Sequence, residues 1–334
     1  MTSDAHDPVL ISVVVPTCKR PHLLKRCLDA LLAQTLDRFL YEIVVADDAG
    51  CEVTRKIVEC LSGQTTGKGP RLSYFAVNER HGPAAARNVG WRAARGEFIA
   101  FTDDDCIPDS RWLQAGLEAF GEDEEILGVS GKVIIPLPPV PTDYEYNYNG
   151  LSQSQFVTAS CFYRRRFLEK VGGFDEQFEL PWREDSDLFF RLLKLGEGKV
   201  VRAPEALVVH PVPPGKWGVS LKQQRRNYYN ALLYKKHPEY YRLYLSPVTP
   251  WRYYQIMLAL LAGLLGFWRR QPLLALTGLS LWAFLTGRFS LLRLSKTSHE
   301  PGHVAEMLIT SVLIPPLALF WRMAGAIKYK VFFL

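Results

Sequence analysis

An α/β fold, with a mostly parallel central sheet flanked by helices and an apolar helical tail, is what this 334-residue chain predicts. Three observations carry that expectation. Apolar, β-branched runs alternate with segments of helical period through the first third of the chain, the pattern of βαβ units. Acidic residues stand just after several of those runs, at the strand ends where parallel sheets bind ligands. Beyond about residue 250 the composition changes to long uncharged stretches.

The elements follow in order. "LISVVVPT" (10–17) is a continuous apolar run closed by Pro16 and Thr17, as in a strand buried on both faces. "HLLKRCLDALLAQ" (22–34) has apolar residues at helical spacing, and "YEIVVADDAG" (41–50) is a second buried strand ending in acid and glycine. "EVTRKIVECLS" predicts a helix, "RLSYFAV" (71–77) a strand, "GPAAARNVGWRAA" (82–94) an Ala-rich helix and "EFIAFTDDD" a fourth strand. The Pro- and Tyr-rich "VIIPLPPVPTDYEYNYNG" (133–150) predicts a long irregular surface connection. "REDSDLFFRLLKLGEG" (183–198) is an amphipathic helix stopped by Gly196, and "KVVRAPEALVVHPV" suggests two short strands around a turn. "SLKQQRRNYYNALLYKKHPEYY" (220–241) predicts one basic, aromatic helix.

The tail holds "YYQIMLALLAGLLGFW" (253–268), "QPLLALTGLSLWAFLTG" (271–287) and "VAEMLITSVLIPPLALFW" (304–321). At about 1.5 Å per helical residue, the first two runs are short for a hydrocarbon core of about 30 Å, and Pro315–Pro316 is expected to break the third. Short spans with snorkelling Arg and Lys, or interfacial helices, fit these lengths. A buried helical subdomain is the alternative, and the clustering of Trp, Tyr and Arg at the run edges favours the bilayer.

Charge divides along the same line. The net charge is +6, yet residues 251–334 carry nine Lys or Arg against Glu300 and Glu306, so the first 250 residues sum to −1. A basic tail on a neutral domain speaks against nucleic acid as a partner. Six cysteines lie in the first half with no C-x-x-C pair, and "MTSDAHDPVL" contains no signal-peptide core. Reduced thiols, most of them buried, in a cytoplasmic compartment are the expectation.

The acids point to chemistry. "FTDDDCIP" puts Asp103, Asp104 and Asp105 at one strand end, and Thr17, Asp47 and Asp48 fall at others, so they can share one crevice. A calcium EF-hand loop starting at Asp103 would need Gly and Glu where Pro108 and Gln114 stand. A response-regulator-like acidic pocket would leave the tail unexplained. Crowded carboxylates most simply hold a hard divalent cation, which in turn suits a diphosphate. Neither a P-loop nor a G-x-G-x-x-G supplies another phosphate grip.

At these residues the chain resembles the family-2 glycosyltransferases, over roughly residues 10–215. "VVVPTCKR" resembles the family's opening strand, implying Pro16 and Thr17 beside the nucleobase. "EIVVADDAG" resembles its "IVVDDGS" element, implying base recognition by Asp47, although Ala49-Gly50 replaces the usual Gly-Ser. "NERHGPAAARNVG" is similar to its "N-x-G-x-x-x-A-R-N-x-G" segment, which suggests Arg87 near the nucleotide. "FTDDDCIP" carries the D-x-D signature, implying Asp103 and Asp104 on the donor and Asp105 on the metal. "GGFDE" and "PWREDSDLFFRL" resemble the acceptor-side block, in which a Glu-Asp pair, here Glu184 and Asp185, supplies the catalytic base; Trp182-Arg183 departs from the usual Gly before that pair. His210 falls where relatives place a metal- or diphosphate-binding histidine.

The resemblance implies the GT-A fold, Rossmann-like, plus a C-terminal α-helical membrane-associated region. It implies a catalytic domain over 1–218, with a nucleotide-binding half (1–132) and an acceptor-binding half (133–218). A connecting helix (219–250) and transmembrane or re-entrant helices (251–334) would follow. The implied cofactor is Mn²⁺ or Mg²⁺, an imidazole favouring Mn²⁺, and the implied donor a nucleotide sugar, UDP-linked by preference. Direct displacement needs a carboxylate to take the acceptor's proton. Asp185 is the expected base and Glu184 a ligand of acceptor hydroxyls, unless the pair merely serves the helix start. Trp182 and Trp217 could stack on sugars or simply pack. Arg164–Arg166 is expected to be a solvated face, and Arg225, Arg226, Lys235 and Lys236 either the same or a skirt on anionic lipid. The expected activity is inverting, metal-dependent transfer to a hydroxyl of a lipid-linked or glycan acceptor, at a membrane with the catalytic domain in the cytoplasm. A polyprenyl-phosphate acceptor, a nucleotidylyltransferase and a non-catalytic scaffold are the alternatives.

Overall fold

The computed structural model describes residues 9–154, 156–245 and 249–333. Residues 1–8, which hold most of the stretch read as lacking a signal peptide, and 246–248 of the connecting segment lie outside the described residues. Two compact units divide the chain, 1–136 with 151–211 and 137–150 with 212–334. Residues 137–150 and 212–218 thus pack with the C-terminal part of the sequence.

In the first unit, β1 (Ile11–Thr17), α1 (Pro21–Leu32), β2 (Tyr41–Asp47), α2 (Glu52–Thr65), β3 (Arg71–Ala76), α3 (Pro83–Ala93) and β4 (Phe98–Phe101) alternate as the periodicity requires. β1 and β2 are buried along their whole length, which is why they are continuous β-branched runs rather than alternating ones. The chain continues through β5 (Ile107–Pro108), α4 (Trp112–Glu118), β6 (Ile126–Ile134), α5 (Asp143–Tyr148, in the second unit), β7 (Cys161–Arg164), α6 (Arg165–Val171), α7 (Glu184–Leu195) and β8 (Lys199–Val209). The sheet runs β3-β2-β1-β4-β7-β6-β8-β5. β1, β2, β3 and β4 pair in parallel, as do β6 and β8, while β7 and β5 run antiparallel to their neighbours. Parallel pairing puts the ends of β1, β2 and β4 at one edge. Gly90 lets α3 lie close on that sheet, because a Cβ there would come within 2.3 Å of Val14 Cγ1.

The second unit is helical: α5, α8 (Val219–Gln223), α9 (Asn227–Lys236), α10 (Pro238–Tyr244), α11 (Trp251–Trp268), α12 (Pro272–Leu294) and α13 (Pro301–Tyr329). α11 and α12 form a close hairpin through glycines; a Cβ on Gly278 would stand 2.4 Å from the Gly263 nitrogen. Such small-residue contacts are the usual means of apolar helix association. α12 and α13, at about 34 and 43 Å by the helical rise, are long and apolar enough to cross a membrane.

Several sequence expectations are corrected. The span 199–209 is one strand, not two, because a register shift at Gly131/Lys132 absorbs the irregularity as a bulge. Residues 133–150 are not wholly irregular: β6 reaches Ile134, and α5 begins at a capping box in which Thr142 and Glu145 satisfy each other's backbone N–H groups. The helix expected over 220–241 divides at Arg226 and again at His237–Pro238. α12 runs past Arg288 and Arg293, since helix ends are set by capping and packing and not by hydropathy. α13 continues through Pro315 and Pro316, where the lost backbone bonds are offset by packing of Ile314 against Ile256 and Phe289. Arg164 is buried over the Phe98 and Phe120 rings, and Arg165 donates to the Gly96 and Trp91 carbonyls, so only Arg166 is a surface residue. Among the cysteines, Cys27, Cys106 and Cys161 are buried, Cys51 is half-buried, and Cys18 and Cys60 are exposed.

Candidate active site

The site is built at the carboxyl edge of β1, β2 and β4. Thr17, ending β1, donates its hydroxyl to Asp104 Oδ2 at 2.6 Å and fixes the acidic turn to the neighbouring strand. Pro16 is buried one residue earlier, in register with Ala46. Asp47 is fully buried at the end of β2, and its oxygens already accept the N–H groups of Ala49 (3.0 Å) and Cys51 (2.7 Å) and the Tyr74 hydroxyl (3.0 Å). Asp48 instead reaches towards α3, accepting Gly82 N–H at 2.8 Å. Gly82 has φ +114° and no room for a Cβ, which would meet the Glu179 carbonyl at 2.9 Å, so glycine is required there.

α3 delivers two buried, hydrogen-bonding side chains on consecutive residues. Arg87, 3% exposed, donates from Nη1 to Glu184 Oε1 (2.9 Å) and from Nη2 to Asp103 Oδ1 (2.8 Å). Asn88 clamps Phe174 at both N–H and C=O, each at 2.9 Å, and thereby anchors the "GGFDE" loop. The Arg87 guanidinium thus joins the acidic turn after β4 to the acid pair at the start of α7. Burial pushes the Asp103 carboxyl up, but Arg87 and His210 outweigh it and hold it below the usual aspartate range. Burial raises Glu184 against the pull of Arg87, the charge of Asp185 adding to the rise, and Glu184 Oε2 has no hydrogen-bond partner among the described residues.

Asp185, half-buried, accepts the backbone N–H and hydroxyl of Ser186 through Oδ1, at 2.6 and 3.2 Å. Burial raises its pKa, with the Ser186 bond and Arg183 opposing. Asp187 faces away, fully buried, and accepts from Arg191 at 2.8 Å. Arg183, at φ +79°, turns its guanidinium over the Trp182 ring.

Asp105 and His210 come together: Asp105 Oδ1 lies 3.6 Å from His210 Nε2, too long for a hydrogen bond. His210 Nδ1 is 3.2 Å from the Pro211 carbonyl, which can only accept, so Nδ1 is the donor of that contact and Nε2 is the nitrogen on the Asp105 side. Asp103, Asp105, Cys106 and His210 each offer a donor atom within 4.8 Å of the others, and Asp105 Oδ1 is buried without a hydrogen-bond partner among the described residues. Carboxylate oxygen and imidazole nitrogen donors fit a divalent cation. The ten residues expected to bind donor or metal or to act as acid and base all lie in this one unit, whereas Trp217 lies in the other. Arg20 was missed in the sequence. It binds Asp104 Oδ1 at 2.5 Å and Asp105 Oδ2 at 2.8 Å from just beyond β1, and only its place after "PTCK" hinted at this. Burial pushes Asp104 up to about 7 against the Arg20 charge; at 2.5 Å the pair has ion-pair geometry.

The sequence model of the family described as "Glycosyl transferase family 2" matches residues 12–172, and that of "Glycosyl transferase family group 2" matches residues 144–324. Glycosyltransferase AglE of Haloferax volcanii is 25% identical over 229 residues, 65% of this chain and 71% of AglE. Chondroitin synthase of Escherichia coli is 25% identical over 274 residues, 70% of this chain but 39% of the synthase. Pre-mycofactocin glycosyltransferase of Mycobacterium tuberculosis is 29% identical over 216 residues, 60% of this chain and 42% of that protein. The match thus spans less than half the length of the last two. The structure of mannosyltransferase PcManGT from Pyrobaculum calidifontis, in complex with GDP-Man and Mn²⁺, superposes with a TM-score of 0.56 at 20% identity, covering 97% of this chain and 87% of that one.

Proposed function

The chain belongs to glycosyltransferase family 2 and has the GT-A fold, and from that premise we propose that it is an inverting, metal-dependent enzyme. In this reading it moves a sugar from a nucleotide diphosphate to a hydroxyl on a lipid-linked or other membrane-proximal glycan acceptor. The observation that carries the reading is the Arg87 bridge, which ties Asp103 on the donor side to Glu184 on the acceptor side within one buried network.

Each residue then has a task. Pro16, Thr17 and Asp47 shape the nucleobase pocket, Asp47 by holding the β2–α2 turn as well as by its charge. Asp103 and Asp104 address the ribose and the donor. Asp105 and His210 would hold Mn²⁺ or Mg²⁺, which when bound neutralises the charge of a departing diphosphate. Asp185 takes the acceptor proton. Burial raises its pKa and so makes it a stronger base than an exposed aspartate, and Ser186 fixes its orientation. Glu184, anchored by Arg87, is left with one oxygen for an acceptor hydroxyl. Inversion follows from a single displacement assisted by one base. The tail helices support attachment to a membrane, and in this reading the catalytic unit works on the cytoplasmic side.

A donor screen tests this. UDP- and GDP-sugars, the latter because a structural neighbour holds GDP-Man, are added with Mn²⁺ and the melting temperature is followed. A ligand at 100 times its Kd stabilises the native state by about 2.7 kcal/mol. At least one nucleotide sugar should raise the melting point, and Asp105→Ala should abolish the rise. The absence of any shift across the panel would overturn the donor assignment.

A further inference from the structure

The acidic turn also presents a thiol that the proposed mechanism does not use. Cys106 directly follows Asp105 and is 0% exposed. Its N–H donates to the Asp103 carbonyl at 3.0 Å, closing the turn. The next residue opens β5, whose Ile107 pairs with Val209 of β8, so Cys106 stands across from His210. Chain geometry therefore delivers the sulfur to the same cluster as Asp103, Asp105 and His210, every donor within 4.8 Å of every other.

Two further observations distinguish this arrangement from a chance crowd. Each carboxylate is anchored by one oxygen, Asp103 Oδ1 by Arg87 and Asp105 Oδ2 by Arg20, both at 2.8 Å. Asp105, 7% exposed, keeps Oδ1 buried and unpartnered among the described residues. Donors around a four-coordinate ion at about 2.0–2.3 Å are roughly 3.3–3.8 Å apart, so side-chain shifts of about an ångström would close the set.

We propose that Cys106 is a further protein donor to this site, completing a set of four with Asp105, His210 and, when no donor nucleotide occupies it, Asp103, and that this set is engaged by thiophilic divalent ions such as Zn²⁺, Cd²⁺ and Co²⁺ and not by Mn²⁺ or Mg²⁺. The inference rests on the cation reading of the proposed function. Soft thiolate selects borderline and soft ions, whereas Mn²⁺ and Mg²⁺ are satisfied by carboxylate, imidazole and water. Ligation forms the sulfur–metal bond and releases the thiol proton to solvent. Four protein ligands make a closed site, with no position left for a diphosphate. Zn²⁺ is therefore an inhibitor that competes with Mn²⁺, and Cys106 sets the strength of that competition.

The test uses the full-length chain with Co²⁺ alone. The expected result is a near-ultraviolet thiolate-to-cobalt charge-transfer band saturating at one equivalent, lost in Cys106→Ser and kept in Cys27→Ser, whose thiol lies 3.5 Å from the Asp103 carbonyl. Zn²⁺ affinity should fall at least tenfold in Cys106→Ser, because even outer-shell partners are worth roughly 10–100-fold, while Mn²⁺ affinity stays within about threefold. Should Cys106→Ser not fold, the ¹¹³Cd resonance of the wild-type chain decides, lying in the thiolate range if the proposal holds and in the oxygen–nitrogen range if it does not. A cobalt complex without the band, or a band surviving Cys106→Ser, overturns it. Mn²⁺ binding, followed separately by electron paramagnetic resonance, tests the cation reading itself, so the two failures are distinguishable.

Discussion

Asp185 and Arg87 are the single residues that the proposed chemistry depends on most. If Asp185 is the base, Asp185→Asn should lower kcat by about 10²–10⁴-fold while nucleotide binding is retained, as steady-state rates beside calorimetry would show. The sign of the pH effect follows from burial. The base must be ionised, its pKa is raised above the ordinary 3.8, and so activity should fall on the acid side at a pH above that value. A profile flat down to pH 4 would remove Asp185 from the role. Arg87→Ala would leave Asp103 and Glu184 as uncompensated charges, at a cost of about 3–5 kcal/mol in urea unfolding. Arg87→Lys should recover little of this, since one ammonium cannot span two carboxylates as the guanidinium fork does. At this scale the acids were legible because their types and order form a motif. Arg20 and Cys106 were not, because what each of them faces depends on how the turn after β4 lies against β1 and β8.

Elements give two further expectations. The α11–α12 hairpin depends on backbone contact at Gly278, so Gly278→Leu should destabilise the protein by at least about 1–3 kcal/mol, while Gly287→Leu, with open space around it, should not. Equal melting temperatures in detergent would contradict the close packing. Tyr41, opening β2, donates to the Leu31 carbonyl near the end of α1 at 2.9 Å, and burial pushes its pKa from 10.0 to about 12. A raised pKa contributes stability below pH 10 that is lost as pH rises towards 12. Wild-type stability should therefore drop across that window more steeply than that of Tyr41→Phe. The strands and helices of the first third were readable from period alone. The bulge in β8 was not, since it exists only through its pairing with β6. The "TDYE" capping box of α5 could have been read but was masked by the surrounding prolines.

The whole molecule adds a membrane question and a division of the chain. α11, α12 and α13 expose large apolar side chains, Leu276, Phe284 and Ile327 among them at 65–77% accessibility, the kind of exposure that marks interaction sites when it is gathered into patches. The purified chain should float with vesicles containing anionic lipid and aggregate when detergent is withdrawn. A monodisperse, detergent-free preparation would contradict membrane attachment.

The sequence by itself determined the α/β alternation, the acids at its strand ends, the apolar tail and the family. These are statements about order and period along one chain, and local physics writes them directly. Tertiary structure alone decided that Arg87 joins Asp103 to Glu184, that residues 137–150 pack with the C-terminal helices, and that a proline pair lies inside an unbroken helix. Each of these depends on contacts between residues far apart in sequence, where packing overrides local preference.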